Sequence, residues 1–140
     1  VHPNPSISVA AVVLTNDDGQ VAVVRKYRTD AFIFPGGKLE PDETGLQAAI
    51  REVHEELGVV LHPDQIHHVG NYTTPAANES DTDLLSQVYR THLPARQHVQ
   101  VQAEIAELRW LHPAAPEVPD GYRLAPLSSM VLQNLAHGSL

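Results

Sequence analysis

Cysteine is absent from the 140 residues, so disulfides, thiolate zinc sites and cysteine nucleophiles are excluded, and the chain suits a reducing cytosol. Cations are scarce: 9 Lys and Arg stand against 17 Asp and Glu, for a formal charge of −8. That balance argues against a nucleic-acid polymer or a membrane surface as partner, because a phosphate backbone wants a basic face. Small phosphorylated substrates stay open, provided the acids gather where a divalent cation neutralises them. No apolar run approaches the ~18 residues of a transmembrane helix and no signal peptide is visible, so a cytoplasmic protein is expected. The chain begins at Val1, without an initiator Met, which leaves its natural start open.

Apolar residues make up 42% of the chain and charged ones 19%, as in a folded globular protein, and residues 1–140 offer room for a single domain. The nine His are scattered, and none has the helical zinc spacing, so they are expected to be surface or packing residues. Ile7 to Leu14 and Gln20 to Tyr27 read as a hairpin about Asn16-Asp17-Asp18-Gly19. Ala31 to Phe34 is a short strand that Pro35-Gly36-Gly37 is expected to break. Thr44 to Leu57 is the clearest helix, with Asp42 or Thr44 as N-cap and Gly58 beyond its end. Strands follow over about 67–73, 84–93 and 107–111, joined by a polar loop at 74–83 and a polar connection at Ala95 to Gln102. A Pro-containing irregular stretch at 112–121 precedes a last helix from about Ala125 to Ala136. Strands, a helix, strands and a helix predict an α/β fold with a mixed sheet covered by helices.

On the first helix, Leu46, Ile50, Val53 and Leu57 define the expected buried side. Glu52 and Glu55 lie away from it and Glu56 at its edge, so three carboxylates share one patch at i,i+3 and i,i+4 spacing. Such a patch is destabilising unless a cation neutralises it, and oxygen ligands suit Mg²⁺ or Mn²⁺ better than zinc. The alternative is a solvated acidic face. Against that, Arg51 sits beside the patch, and Gly36-Gly37 ahead of it lets backbone approach a ligand closely.

Gly37, Glu43, Arg51, Glu52, Val53, Glu55, Glu56, Gly58 and Val59 match every fixed position of the Nudix box, Gly-x5-Glu-x7-Arg-Glu-U-x-Glu-Glu-x-Gly-U with U apolar. The chain therefore resembles the short, MutT-like Nudix hydrolases. That resemblance implies an α/β/α sandwich with a mixed central sheet, and hydrolysis of a nucleoside diphosphate linked to another moiety. It implies Mg²⁺ (or Mn²⁺) held by Glu52 and Glu56, with Glu55 and a Gly36 or Gly37 carbonyl assisting. Arg51 would orient Glu52 or Glu55, and Glu43 would be an accessory acid. A downstream acid completing the site would be Glu104 or, in the polar loop, Glu79, although either also reads as a plain surface acid.

Arg25 and Lys26 belong to the one basic cluster, where relatives place a residue near the substrate phosphates; pleating lets at most one of them face a cleft. Phe34 resembles the residue lining the base pocket of MutT-like enzymes and equally suits a core aromatic. MutT reads oxidised guanine with an Asn near its last helix, and the matching stretch 122–126 has none. Pro75, 16 residues past the box, matches a spacing of ADP-ribose pyrophosphatases. The expected substrate is a small nucleotide: a nucleoside triphosphate first, ADP-ribose or another nucleotide derivative second. A non-hydrolysing regulator would usually have lost box glutamates, and this chain has lost none. Relatives suggest a monomer or homodimer.

Overall fold

In chain order the elements are β1 (Ser6–Thr15), β2 (Val21–Lys26), β3 (Ala31–Phe32), β4 (Gly36–Lys38), α1 (Gly45–Leu57), a 3-10 turn (Pro63–Gln65), β5 (His67–Pro75), β6 (Asp83–His92), β7 (Ile105–Leu111), β8 (Arg123–Leu124) and α2 (Pro126–Ala136). They come from a computed structural model, which describes residues 4–94 and 97–138; Val1 and part of the 95–102 connection lie outside the described residues. The apolar run of β1 buries both faces, which requires cover on both sides. It accordingly sits mid-sheet, in the order β5-β6-β1-β2-β7. Within this sheet β1 runs parallel to β6 and the other ladders are antiparallel, so it is mixed; β3 and β8 form a separate parallel pair.

Two helices cover the two faces. Ala10, Val12, Leu14 and Tyr89 pack with Ala49, Val53 and Leu57 of α1. The alternate residues Ala11, Val13 and Val88, with Phe32 and Phe34, pack with Leu127, Val131 and Leu132 of α2. The α/β/α sandwich implied by the sequence is the fold observed. Among the described residues no helix is long and apolar enough to cross a membrane.

Helix α1 starts and stops as its residues dictate. The Thr44 side chain accepts from the Gln47 N–H while the Gln47 side chain accepts from the Thr44 N–H, a reciprocal capping box. Gly58 takes the left-handed conformation (φ 68°) and closes the helix by donating to His54 O at 3.0 Å.

Three expectations are corrected. The strand from Ala31 does break before Pro35, with β3 ending at Phe32, but Gly36–Lys38 then forms an unforeseen strand, β4, paired with Val9–Ala11 of β1. The reason is steric, since a Cβ at Gly36 (φ 151°) would stand 2.0 Å from Ala10 O, and only glycine permits so close an approach. The buried face of α1 is also rotated: Ala48, Ala49, Val53, Glu56 and Leu57 are buried, whereas Leu46 and Ile50 are only partly covered. Small residues let the helix approach the sheet closely, and that approach carries Glu56 inside. Finally, β5 extends to Pro75 and β6 starts at Asp83, which confines the loop to 76–82; Pro75 is tolerated because it ends an edge strand.

Candidate active site

The close approach of α1 to β4 builds the site. Glu56 is 1% exposed, and its Oε1 accepts a hydrogen bond from the Gly36 N–H at 3.0 Å. Its Oε2 is also buried and has no hydrogen-bond partner among the described residues. Burial, with the negative charges of Glu52 and Glu104, pushes the carboxyl up to about 8, against the Gly36 N–H and the Lys26 charge. One turn away, the Glu52 carboxylate fills the space that a side chain at Gly37 would take: a Cβ there would lie 2.5–2.7 Å from its carboxyl atoms. Its pKa is raised, mainly by burial, with Arg51 opposing.

Arg51 organises the outer half. Its Nε and Nη2 donate to Glu43 Oε2 and Oε1 at 2.7 and 2.9 Å, a bidentate fork. Nη2 also donates to Lys38 O at 3.0 Å, and Nη1 to Glu52 Oε1 at 2.8 Å and Glu55 Oε2 at 3.3 Å. Glu43 further accepts from the Glu40 N–H at 2.9 Å. The Arg51 hydrogen bonds foremost, then that N–H, hold the Glu43 carboxyl down at about 2. The same pairing with Glu43 keeps Arg51 firmly protonated. Glu55 is the most exposed of the box acids, with half its side chain in solvent.

The remaining candidates divide. Lys26 lines a cleft of about 160 Å³ together with Phe34, Gly36 and Gly37, and its Nζ lies 3.2 Å from Glu104 Oε1. Glu104 acts on both Glu52 and Glu56 through its charge, so it faces the acidic site. Arg25 turns the other way: Nε donates to Glu107 at 3.0 Å, Nη1 to Thr29 O at 3.0 Å, and the guanidinium lies over the Tyr122 ring. Phe34 belongs to the α2-side core and also lines the cleft. Glu79 stands at the cleft rim, 4.0 Å from Lys38 Nζ. Sequence reasoning passed over the Lys38 carbonyl, which accepts from Arg51, and Asn78 and Ser128, two residues that line the cleft. The helical spacing of Leu127 and Val131 gave one signal, since it sets Ser128 beside the buried face of α2.

The donor set suits a hard divalent cation. A buried carboxylate oxygen with no hydrogen-bond partner among the described residues calls for positive charge, and the Glu52 carboxylate one turn away offers further oxygen ligands. Among the described residues no three His, Cys, Asp or Glu side chains converge into a ready-made cage. An ion such as Mg²⁺ keeps several waters and needs few protein ligands.

Residues 5–128 match the model of the NUDIX domain family. The chain belongs to the Nudix family. A 55-residue stretch is 46% identical to an RNA pyrophosphohydrolase of Pseudomonas syringae pv. tomato, covering 39% of this chain and 35% of that relative's length. The chain thus matches about a third of that curated relative. Among solved structures, a MutT NUDIX hydrolase from Burkholderia pseudomallei superposes with a TM-score of 0.74 at 20% identity, over 91% of this chain and 96% of that one. The E. coli dihydroneopterin triphosphate pyrophosphohydrolase gives 0.73 at 16% identity, over 98% and 99%. At these identities the likeness establishes the Nudix fold.

Proposed function

We propose that this Nudix domain is a divalent-metal-dependent pyrophosphohydrolase of small nucleotides, converting a nucleoside triphosphate to the monophosphate and pyrophosphate. The observation that carries the reading is the buried Glu56 carboxylate, with one oxygen fixed by Gly36 and the other without a partner, beside Glu52. Glu52 and Glu56 would hold Mg²⁺ (or Mn²⁺), assisted by Glu55 and a Gly36 or Gly37 carbonyl. When bound, the ion supplies charge for the pyrophosphate oxygens and acidifies a water.

The chain's own residues do the rest. Arg51 would hold Glu52 in place and oppose the upward push of burial on its carboxyl, and is itself held by Glu43. Lys26 at the cleft wall would bind a phosphate oxygen on exchanging its Glu104 partner. Glu104, released by that exchange, or Glu52, would accept the proton of the attacking water. Arg25, paired with Glu107, would contribute to substrate binding only through the position of its neighbour Lys26. The net charge of −8 weighs against a polymeric nucleic acid as substrate, although the matched relatives carry the name RNA pyrophosphohydrolase. A cytoplasmic single domain, monomeric or homodimeric, completes the proposal.

A panel of nucleoside triphosphates, ADP-ribose and nucleotide sugars, incubated with Mg²⁺ or Mn²⁺ and read for pyrophosphate and monophosphate, tests it. Triphosphate turnover that stops on chelation is expected. Nucleotide binding with no turnover of any member would instead favour a regulatory domain.

A further inference from the structure

Every described Lys and Arg except Arg28 and Arg90 is ion-paired to a carboxylate. Arg28 is fully open to solvent on a turn. Arg90 is partly covered, on β6, yet its guanidinium has no hydrogen bond or ion pair among the described residues. A guanidinium withdrawn from water is ordinarily paired, and this chain has 17 Asp and Glu to choose from.

Arg90 lines a cavity of about 370 Å³, separate from the cleft. β1 and β6 are parallel, and their register sets Arg90 against Val13 and His92 against Thr15. Val13 belongs to the core under α2, so alternation puts Arg90 and Thr15 on that same face, at the carboxyl ends of the two strands. The cleft lies at their other ends, where Ile7 and Leu84 line it; at the strand rise, Thr15 is about 26 Å along β1 from Ile7.

The walls of this second pocket are already built. Asn16 Oδ1 accepts from the Asp18 and Gln20 N–H groups at 3.0 and 2.9 Å, and Asn16 Nδ2 donates to Gln20 Oε1 at 3.0 Å, which fixes the β1–β2 turn. Val21, Pro113 and Leu135 supply apolar surface. Asp17 is the acid among the lining residues, and its Oδ1 is engaged by His92 Nε2 at 2.7 Å. His92 Nδ1 in turn lies 3.3 Å from Thr15 Oγ1. Arg90 is thus the group in the pocket with charge to offer.

We infer that this pocket is a second, non-catalytic site for a small phosphomonoester, held at its phosphoryl group by Arg90 and Thr15. The body of the ligand would lie against Val21, Pro113 and Leu135. A guanidinium presents two parallel N–H groups to two oxygens of such a group. A phosphoryl group has a third oxygen left for Thr15, whereas a carboxylate has used both of its own. The volume is more than an inorganic ion fills and sits at the small end of small-molecule sites. An unpaired guanidinium gives up no internal partner on binding, and fixed walls cost little to order. None of the Nudix-box acids lines the pocket, so the inference stands apart from the hydrolase reading.

The test follows the backbone amides of the full chain by NMR, without divalent metal, as inorganic phosphate, phenyl phosphate or benzoate is added. Phenyl phosphate should bind tightest, with a Kd of about 1 mM or below, and should move the Asn16, Gly19 and Leu135 amides. The Gly36 and Gly37 amides report the cleft separately. Arg90→Gln should weaken phenyl phosphate about tenfold or more, the factor of a charge-assisted hydrogen bond. Arg90→Lys keeps the charge, loses the fork and should weaken it severalfold. Thr15→Val should weaken it about threefold and leave benzoate unchanged. If Arg90→Gln does not fold, the Lys and Val variants decide.

Shifts confined to the Gly36 and Gly37 amides overturn the inference, as does a wild type with no saturable shift up to about 20 mM. Equal affinity in the wild type, Arg90→Lys and Thr15→Val overturns it too, and so does benzoate binding as tightly as phenyl phosphate. An Arg90→Gln variant that loses Tm, beside a wild type that binds none of the three, assigns Arg90 to the C-terminal turn of α2 and removes the site.

Discussion

The Gly36 N–H donates to Glu56 Oε1 at 3.0 Å, and this bond joins a backbone that tolerates no side chain to a carboxylate that finds no other hydrogen-bond partner among the described residues. A hydrogen bond to a charged or polarised carboxylate is worth about 1.5–3 kcal/mol, less than the cost of burying that group ionised. The local structure therefore holds Glu56 in place without satisfying it, and the unmet demand is for positive charge.

The two adjacent glycines should fail in different ways. At Gly36 an added Cβ meets the Ala10 carbonyl at 2.0 Å, and backbone does not yield, so Gly36→Ala should lose about 4 kcal/mol or more, or fail to fold. At Gly37 the nearest atoms to the added Cβ are those of the flexible end of Glu52, at 2.5–2.7 Å. Gly37→Ala should stay folded, within about 1 kcal/mol by urea unfolding, and lose about 10²-fold in kcat by displacing that carboxylate. Equal stability losses in the two variants would contradict this.

Arg51 reaches Glu43, Glu52, Glu55 and the Lys38 carbonyl from one planar guanidinium. A lysine cannot reproduce that fork. Arg51→Lys should reduce kcat/KM about tenfold or more while a far-ultraviolet spectrum stays that of the wild type. Wild-type kcat/KM in the variant would remove Arg51 from the account.

Glu43 carries the acid response of this corner. Its carboxyl is held at about 2 in the fold against an ordinary 4.5, so the fold resists its protonation. The stabilisation is whole above pH 4.5 and is lost as the pH falls toward 2. Glu43→Gln should lower the urea midpoint relative to wild type at pH 6, and the gap should shrink steadily as the pH is lowered to 3. A gap of constant size would mean that charge plays no part in the Glu43–Arg51 link.

What the sequence disclosed was local. Thr44 and Gln47 cap α1 through neighbours three residues apart, Gly58 ends it through its own left-handed backbone, and Glu52, Glu55 and Glu56 sit at fixed spacings on one helix. Strand β1 was legible because eight successive residues, ISVAAVVL, have one character. The rest depended on distant partners. β4 exists because β1 gives the edge at Val9–Ala11 to it before Thr15 meets β2, and nothing in Pro35-Gly36-Gly37 foretells that. The burial of Glu56 follows from how closely Ala48 and Ala49 let α1 approach the sheet, whereas the helix wheel favoured the bulkier Leu46 and Ile50. Alternation left Arg25 and Lys26 as equal candidates, and the choice of Lys26 for the cleft came from pairing with β7, which engages Arg25 with Glu107 and shifts register between the two residues.

The central claim is that Glu56 is kept buried in order to hold a divalent cation, and Glu56→Gln tests it most directly. The amide oxygen can still accept from Gly36, so Tm without metal should stay within about 4 °C of wild type. Triphosphate turnover measured against Mg²⁺ concentration in both proteins should show kcat reduced about 10²-fold or more in the variant, the scale of one strong catalytic group, with no metal-induced rise in its Tm. Turnover in Glu56→Gln at the wild-type rate, with the same dependence on Mg²⁺, would contradict the account.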